Sequence, residues 1–325
     1  MFISQTQSNI MKAIAMLLII LGHNHILAPQ DGSTPLFGFL YSFHVSIFFI
    51  LPFFYNRKDI LDRENISKIV IRNGIPYLLF FIFCYAVYHF ALIKNGFNLP
   101  EFLGGIVNAP GYNVKNATGF VFLWFLPVFM LMSLCKLIGN RYKWIMALFF
   151  LIGFIICVNK EAYVFMWHAP FYILKALFYY AMGLSAYFLC KYVKYINYIG
   201  TITFVILTVL YWTDCYQVQT FYFSLAGFFM LWELTTKVDF SRIPLLTLIG
   251  KYSLPIYLTH VFIYNVLERV LPYTVAWGIV NYLLTIGLSL LVSIGIYKIE
   301  VIRKFLFPKS WKEWTHFYRT TKALN

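Results

Sequence analysis

Long apolar runs separated by turn-rich breaks constrain this chain more than any other feature. A helix that crosses a bilayer needs about 20 mostly apolar residues. Runs of that kind lie near 8–28, 36–55, 70–93, 119–139, 144–158, 170–190, 196–213, 218–236, 245–268 and 276–299. The breaks fall at Ala28-Pro29-Gln30-Asp31-Gly32, Gly104-Gly105, Asn108-Ala109-Pro110-Gly111 and Ile243-Pro244, all dense in turn formers. Charged residues are only 12% of the chain, against about 25% in a soluble domain. With 61% hydrophobic and 21% aromatic residues, no arrangement hides the apolar side chains beneath a polar surface, and the chain is too apolar to stay disordered. The expected architecture is all-α: a polytopic membrane protein of about ten transmembrane helices.

Orientation follows from charge. With the N-terminus in the cytoplasm and ten alternating spans, only Lys94, Lys115, Lys160, Lys175 and Arg269 of the 26 Lys and Arg residues fall on the outer side. Both termini are therefore expected to be cytoplasmic. The net charge of +14 is then the loop bias of a membrane protein, and no nucleic-acid partner is expected. Residues 1–28 hold a long apolar stretch with no small-residue cleavage site, which predicts a retained signal anchor. The chain divides into a membrane domain over 1–302 and a basic, aromatic cytoplasmic tail over 303–325. That tail mixes Lys309, Lys312, Arg319 and Lys322 with Phe305, Phe307, Trp311, Trp314, Phe317 and Tyr318, a composition suited to an anionic leaflet. The five cysteines (Cys84, Cys135, Cys157, Cys190 and Cys215) lie in or beside apolar runs with no metal or disulfide spacing. They are expected to be packing residues.

Ionisable residues inside spans are costly and usually face a cavity with a task. In the first run, Lys12 and His23 are eleven residues apart. On a helix they share a face to within about 20°, roughly 16 Å apart along the axis. Imidazole is the side chain best suited to move a proton near neutral pH. Snorkelling to the interface explains Lys12 equally well; His23, beside the small Gly22, has room to act, and His25 points to the opposite face. His44 sits in an aromatic run in the second span. Lys68 and Arg72, four apart at the start of the third, can grip phosphates or simply decorate the inner boundary. In the ninth span Pro255 is expected to kink the helix, with Tyr257 and His260 on one face. Glu233 is placed to pair with Lys237. The glycine-rich nucleotide loops and the zinc signature H-E-x-x-H are missing from the sequence, and no metal site is expected.

The order of these motifs resembles the integral-membrane acyltransferase 3 family, close to its fucose 4-O-acetylase-like branch. The resemblance covers roughly residues 8–300. It rests on Ile10 to Met16 leading to Leu21-Gly22-His23, on Phe43-His44-Val45-Ser46-Ile47-Phe48-Phe49, and on Arg72 through Pro76-Tyr77. Leu123-Trp124-Phe125-Leu126-Pro127, Tyr179-Tyr180-Ala181-Met182-Gly183 and Gly250 to His260 complete it. Many members carry Arg where this chain has Lys12, and Ser-Gly where it has Ile50-Leu51-Pro52.

The resemblance implies a membrane-bound O-acyltransferase that moves an acetyl group from acetyl-CoA, a co-substrate rather than a resident cofactor, to a hydroxyl of a cell-surface or lipid-linked saccharide. In that reading His23 is catalytic, Lys12, Lys68 and Arg72 hold the donor, and His44, Trp124, Tyr257 and His260 line the substrate pocket. The location implied is a bacterial inner membrane, with the acyl-CoA donor, the saccharide acceptor and membrane lipids as partners. A flippase for a lipid-linked saccharide is the alternative from a different class, and indifference to acetyl-CoA would mark it.

Overall fold

The computed structural model describes residues 3–31, 33–55, 60–92, 95–107, 117–120, 122–169, 172–213 and 220–318. Cys215, Lys94, Lys115, Gly32, the turn at 108–111, and Arg319 and Lys322 lie outside these residues. The described residues are helical, with no strand among them. Five helical segments are long and apolar enough to cross a membrane: Leu36–Phe54, Arg63–Phe90, Phe122–Arg141, Ile173–Tyr192 and Val275–Lys298. The number rises to seven if two sharply bent helix pairs each count as one span. The chain is a multi-pass membrane protein with five to seven such segments among the described residues.

Two compact units divide the chain. Met1–Asn56 with Met182–Ile294 forms one, and Arg57–Ala181 with Gly295–Asn325 forms the other.

In the first unit, helix α1 (Gln5–Gly22) starts at a reciprocal cap. Ser4 Oγ accepts from the Gln7 amide, and the Gln7 side chain accepts from the Ser4 amide, an arrangement worth about 1 kcal/mol. The helix ends at Gly22, six residues before the expected limit, because Asn24 turns the chain. The second run is two helices, α2 (Leu36–Tyr41) and α3 (His44–Ile50), continued by a 3₁₀ turn. Helices α4 to α8, and α9 as far as Ala181, belong to the second unit and are taken up below. Helices α10 (Ile196–Trp212) and α11 (Thr220–Lys237) follow, then α12 (Pro244–Lys251), α13 (Ser253–Val270) and α14 (Val275–Lys298).

Helix α1 packs against α3, α11, α12 and α13. Its approach to α12 is backbone to backbone: a Cβ on Gly250 would stand 1.8 Å from the Asn9 carbonyl oxygen. Gly200 likewise admits the Phe229 side chain between α10 and α11. Ser224 Oγ lies 2.7 Å from Ser46 Oγ and 3.1 Å from the Ser42 carbonyl, tying α11 to the junction of α2 and α3. Glu233 and Lys237 form the expected ion pair at 3.8 Å.

The ninth run does break, but not at Pro255. Helices α12 and α13 meet at 87°, with Tyr252 between them. Pro255 is the third residue of α13, in the first turn, where a helix has no use for the missing N–H.

In the second unit, α4 (Arg63–Ala86) begins at Arg63 because Asp62 accepts the Asn65 amide at 2.7 Å. Lys68 and Arg72 thus lie in the second and third turns of the helix. A short π-helical turn, Val87–Leu92, extends it. Then come α5 (Leu99–Val107), α6 (Phe125–Arg141), α7 (Lys143–Val158), α8 (Lys160–His168) and α9 (Ile173–Tyr192). The Asn159 side chain caps α8 and the α7–α8 pair bends by 105°. Helix α4 packs on α6, and α6 on α7. The tail folds as α15 (Glu300–Leu306) and α16 (Trp311–Thr315), both against α4.

Candidate active site: a histidine cluster at the end of α1

The site forms where α1 stops. His23 caps the helix, its amide donating to the Ile19 carbonyl at 3.1 Å. Asn24 is fully buried and makes three hydrogen bonds. Its Nδ2 donates to the Gly278 carbonyl of α14 at 2.9 Å, and its Oδ1 accepts from the amides of Ile26 and Leu27. This turn holds His23 against two other elements of the same unit.

From α13, the His260 ring lies 5.2 Å from the His23 ring, centre to centre. From α2, Tyr41 approaches His23 edge-on at 6.2 Å, with its hydroxyl 3.5 Å from His23 Nε2. Gly22 makes that approach feasible, since a Cβ there would sit 3.0 Å from the Tyr41 ring. His44 stands 4.9 Å from Tyr41, and Tyr257 is 5.8 Å from His260. Four of the expected site residues therefore converge: His44 on His23 through Tyr41, His260 on His23 directly, and Tyr257 on His260.

The backbone sets the tautomers. His44 Nδ1 bonds the Leu40 carbonyl, and His260 Nδ1 bonds the carbonyls of Tyr257 at 2.7 Å and Ile256 at 3.2 Å. Carbonyls only accept, so each Nδ1 carries the hydrogen and each Nε2 is left as the basic nitrogen. His44 and His260 are fully buried, whereas His23 is only partly buried.

Beside the cluster, His25 faces the same helix α13. Its Nδ1 is 3.3 Å from Glu268, which also accepts the Tyr264 hydroxyl at 2.8 Å, while that hydroxyl accepts the His25 amide at 2.9 Å. His25 is exposed and holds a carboxylate partner far along the chain.

The remaining expected residues are spread more widely. Lys12 is half-buried on α1. Trp124, Lys68 and Arg72 belong to the second unit. There Lys68 pairs with Glu64 one turn away, and Arg72 is exposed. Trp124 stacks on Tyr179 at 6.2 Å and meets Trp167 edge-on at 5.6 Å. Trp167 in turn carries the ammonium of the fully buried Lys175, 4.9 Å from its ring centre.

Sequence reasoning missed Tyr41, Asn24, Glu268, Lys175 and His89. Asn24 had a signal, since an Asn after Gly-His is a turn former. Lys175 had one too: a lysine within an apolar run. His89, buried on the π-helical turn, stacks on Tyr85 at 4.1 Å and bonds the Ala117 carbonyl at 3.1 Å. Among the described residues, no three His, Cys, Asp or Glu side chains are grouped as metal ligands.

The family model described as an acyltransferase domain, acyltransferase 3, matches residues 6–298. No curated protein and no solved structure matches the chain.

Proposed function

The chain belongs to the acyltransferase 3 family, and on that premise we propose that it moves an acetyl group from acetyl-CoA to a hydroxyl of a cell-surface or lipid-linked saccharide. One observation carries the chemistry: of three histidines in a single cluster, His23 alone is not fully buried. In this mechanism, His23 Nε2 takes the proton from the acceptor hydroxyl as its oxygen attacks the thioester carbonyl. The carbon–sulfur bond then breaks, and the departing thiolate recovers the proton from the imidazolium. Such general base catalysis contributes about 10²–10⁴ in rate. His44, His260 and Tyr257 shape and support the pocket. Tyr41 steadies the His23 ring.

Lys12, on the same helix, is assigned to the donor's phosphates. Arg72 and Lys68 are the second unit's candidates for phosphate contact, Arg72 being the better placed because Lys68 is engaged by Glu64. Ten crossings with both ends in the cytoplasm remain our reading of the charge distribution, and a bacterial inner membrane our reading of the resemblance. That arrangement brings acetyl-CoA to one face and the glycan to the other.

The test is transfer of radiolabelled acetyl-CoA into lipid-linked or surface glycans by purified protein in nanodiscs, with wild type beside His23→Ala. The expected result is robust transfer by wild type and at least 10²-fold less by the variant, at equal thermal stability. Full activity in His23→Ala would remove this residue from the mechanism. Failure of the folded wild type to bind or turn over acetyl-CoA would overturn acetyl transfer in favour of lipid-linked saccharide transport.

A further inference from the structure

The C-terminal helices carry a concave surface that acyl transfer does not use. Arg303 of α15 is clasped to Glu313 of α16, and the second Glu313 oxygen accepts the Lys309 amide. Ser310 Oγ caps α16 by accepting the Glu313 amide at 3.2 Å. Phe307, buried between the helices, packs near Phe80 of α4 and Tyr297, seating the assembly on the rest of its unit. The two short helices thus hold a shape.

Between them opens a cavity of about 530 Å³, lined by Lys304, Lys309, Ser310, Lys312, Glu313 and His316. Glu313, its one carboxylate, is spent on Arg303, and Lys304 pairs with Glu300 at 2.8 Å. Lys309 and Lys312 are exposed and make no ion pair among the described residues. Two cations and a serine hydroxyl on one lining present the donors that a phosphate oxygen needs. Beside them Trp311 and Tyr318 are 55% and 60% exposed. Indole and phenol rings prefer the headgroup level of a bilayer, where one end is apolar and the other wet.

We propose that this concavity is a phosphate-binding site for the headgroup of an anionic membrane lipid. The charge of the lining selects the phosphate, and the exposed aromatic rims select a lipid over a free phosphate. A lipid bound there would pin the tail to the membrane surface and order α15 and α16 next to α4. The inference is independent of the acetyl-transfer reading, since it requires only a membrane protein with this tail.

The experiment is native mass spectrometry of the full chain, titrated with phosphatidylglycerol or phosphatidylcholine, with wild type beside Lys309→Gln/Lys312→Gln. Each lysine near an anionic surface contributes roughly fivefold in affinity, so the double variant is expected to lose roughly 25-fold in phosphatidylglycerol retention and to keep its phosphatidylcholine retention. Trp311→Ala is expected to weaken lipid retention without changing thermal stability. Inorganic phosphate at millimolar concentration forms the competing arm. Equal retention of both lipids by wild type, or unchanged phosphatidylglycerol retention in the double variant, would overturn the site. Full displacement of the lipid by inorganic phosphate would overturn the lipid as its occupant.

Discussion

Gly250→Ala is the sharpest perturbation the packing allows. The new methyl carbon would stand 1.8 Å from the Asn9 carbonyl oxygen, 2.5 Å from its carbon and 2.8 Å from its Cα. All three atoms are backbone, so no rotamer change relieves the overlap. Restoring an ordinary contact of about 3.5 Å requires α1 and α12 to separate by roughly 1.5 Å. Overpacking of this kind costs about 1–3 kcal/mol, and a backbone clash belongs at the upper end. The displacement does not stay local. Helix α13, which carries His260, follows α12 after the single residue Tyr252, while His23 ends α1, so the 5.2 Å pairing of their rings is disturbed. A misplacement of about 1 Å near reacting groups costs on the order of 10² in rate. Acetyl-transfer rates and thermal unfolding in detergent should both fall for Gly250→Ala. Gly287→Ala, where an added carbon meets nothing within 4 Å, should leave both unchanged. A Gly250→Ala protein with wild-type melting and a rate within twofold of wild type would refute the reasoning.

Three further outcomes follow from the same geometry. Asn24→Ala strips partners from two amides and the Gly278 carbonyl; at about 1 kcal/mol per bond it should cost about 3 kcal/mol, read by chemical denaturation. Tyr41→Phe keeps the ring beside Gly22 and removes only a hydroxyl 3.5 Å from His23; such a long contact is weak, so the transfer rate should fall less than tenfold. Burial opposes ionisation of Glu313, but Arg303 and the Lys309 amide outweigh it and hold the carboxyl below the usual glutamate range. A lowered value means the clasp contributes fully above the ordinary glutamate pKa and is lost as pH falls through the folded one. Trypsin cleavage at Lys309 and Lys312 should therefore be slow at neutral pH and fast in Glu313→Gln at that same pH.

Periodicity and hydrophobic length made the helices legible, because lipid leaves a backbone few other solutions. What they concealed were the helix ends and breaks, which depend on partners distant in sequence. The turn after Gly22 is completed by Gly278, more than 250 positions away. Tyr252 marks a break that no proline announces, and Pro255, the expected kink, sits harmlessly in a first turn. For the site, spacing pointed to His23, His44, Tyr257 and His260 because ionisable or polar groups in apolar runs stand out. Tyr41 and Glu268 did not stand out, since a tyrosine or an acid near a helix end is ordinary until its neighbour is known. Lys68 was legible as a cation and not as the partner of Glu64, although an i,i+4 pair could have been read from the spacing.

The right-angled meeting of α12 and α13 bears on how the protein is made. Eight residues of helix rise only about 12 Å, less than half of a hydrocarbon core about 30 Å thick. Helix α12 cannot enter a membrane as a crossing of its own. Its backbone closes directly on α1, at Gly250 and Asn9. Helix α1 must then remain uncommitted on that face until more than two hundred further residues have been synthesised. Synthesis of the two parts as separate polypeptides should yield little protein unless they are co-expressed, and the late arrival of α12, rather than the insertion of any long helix, should set the time at which the molecule becomes protease-resistant.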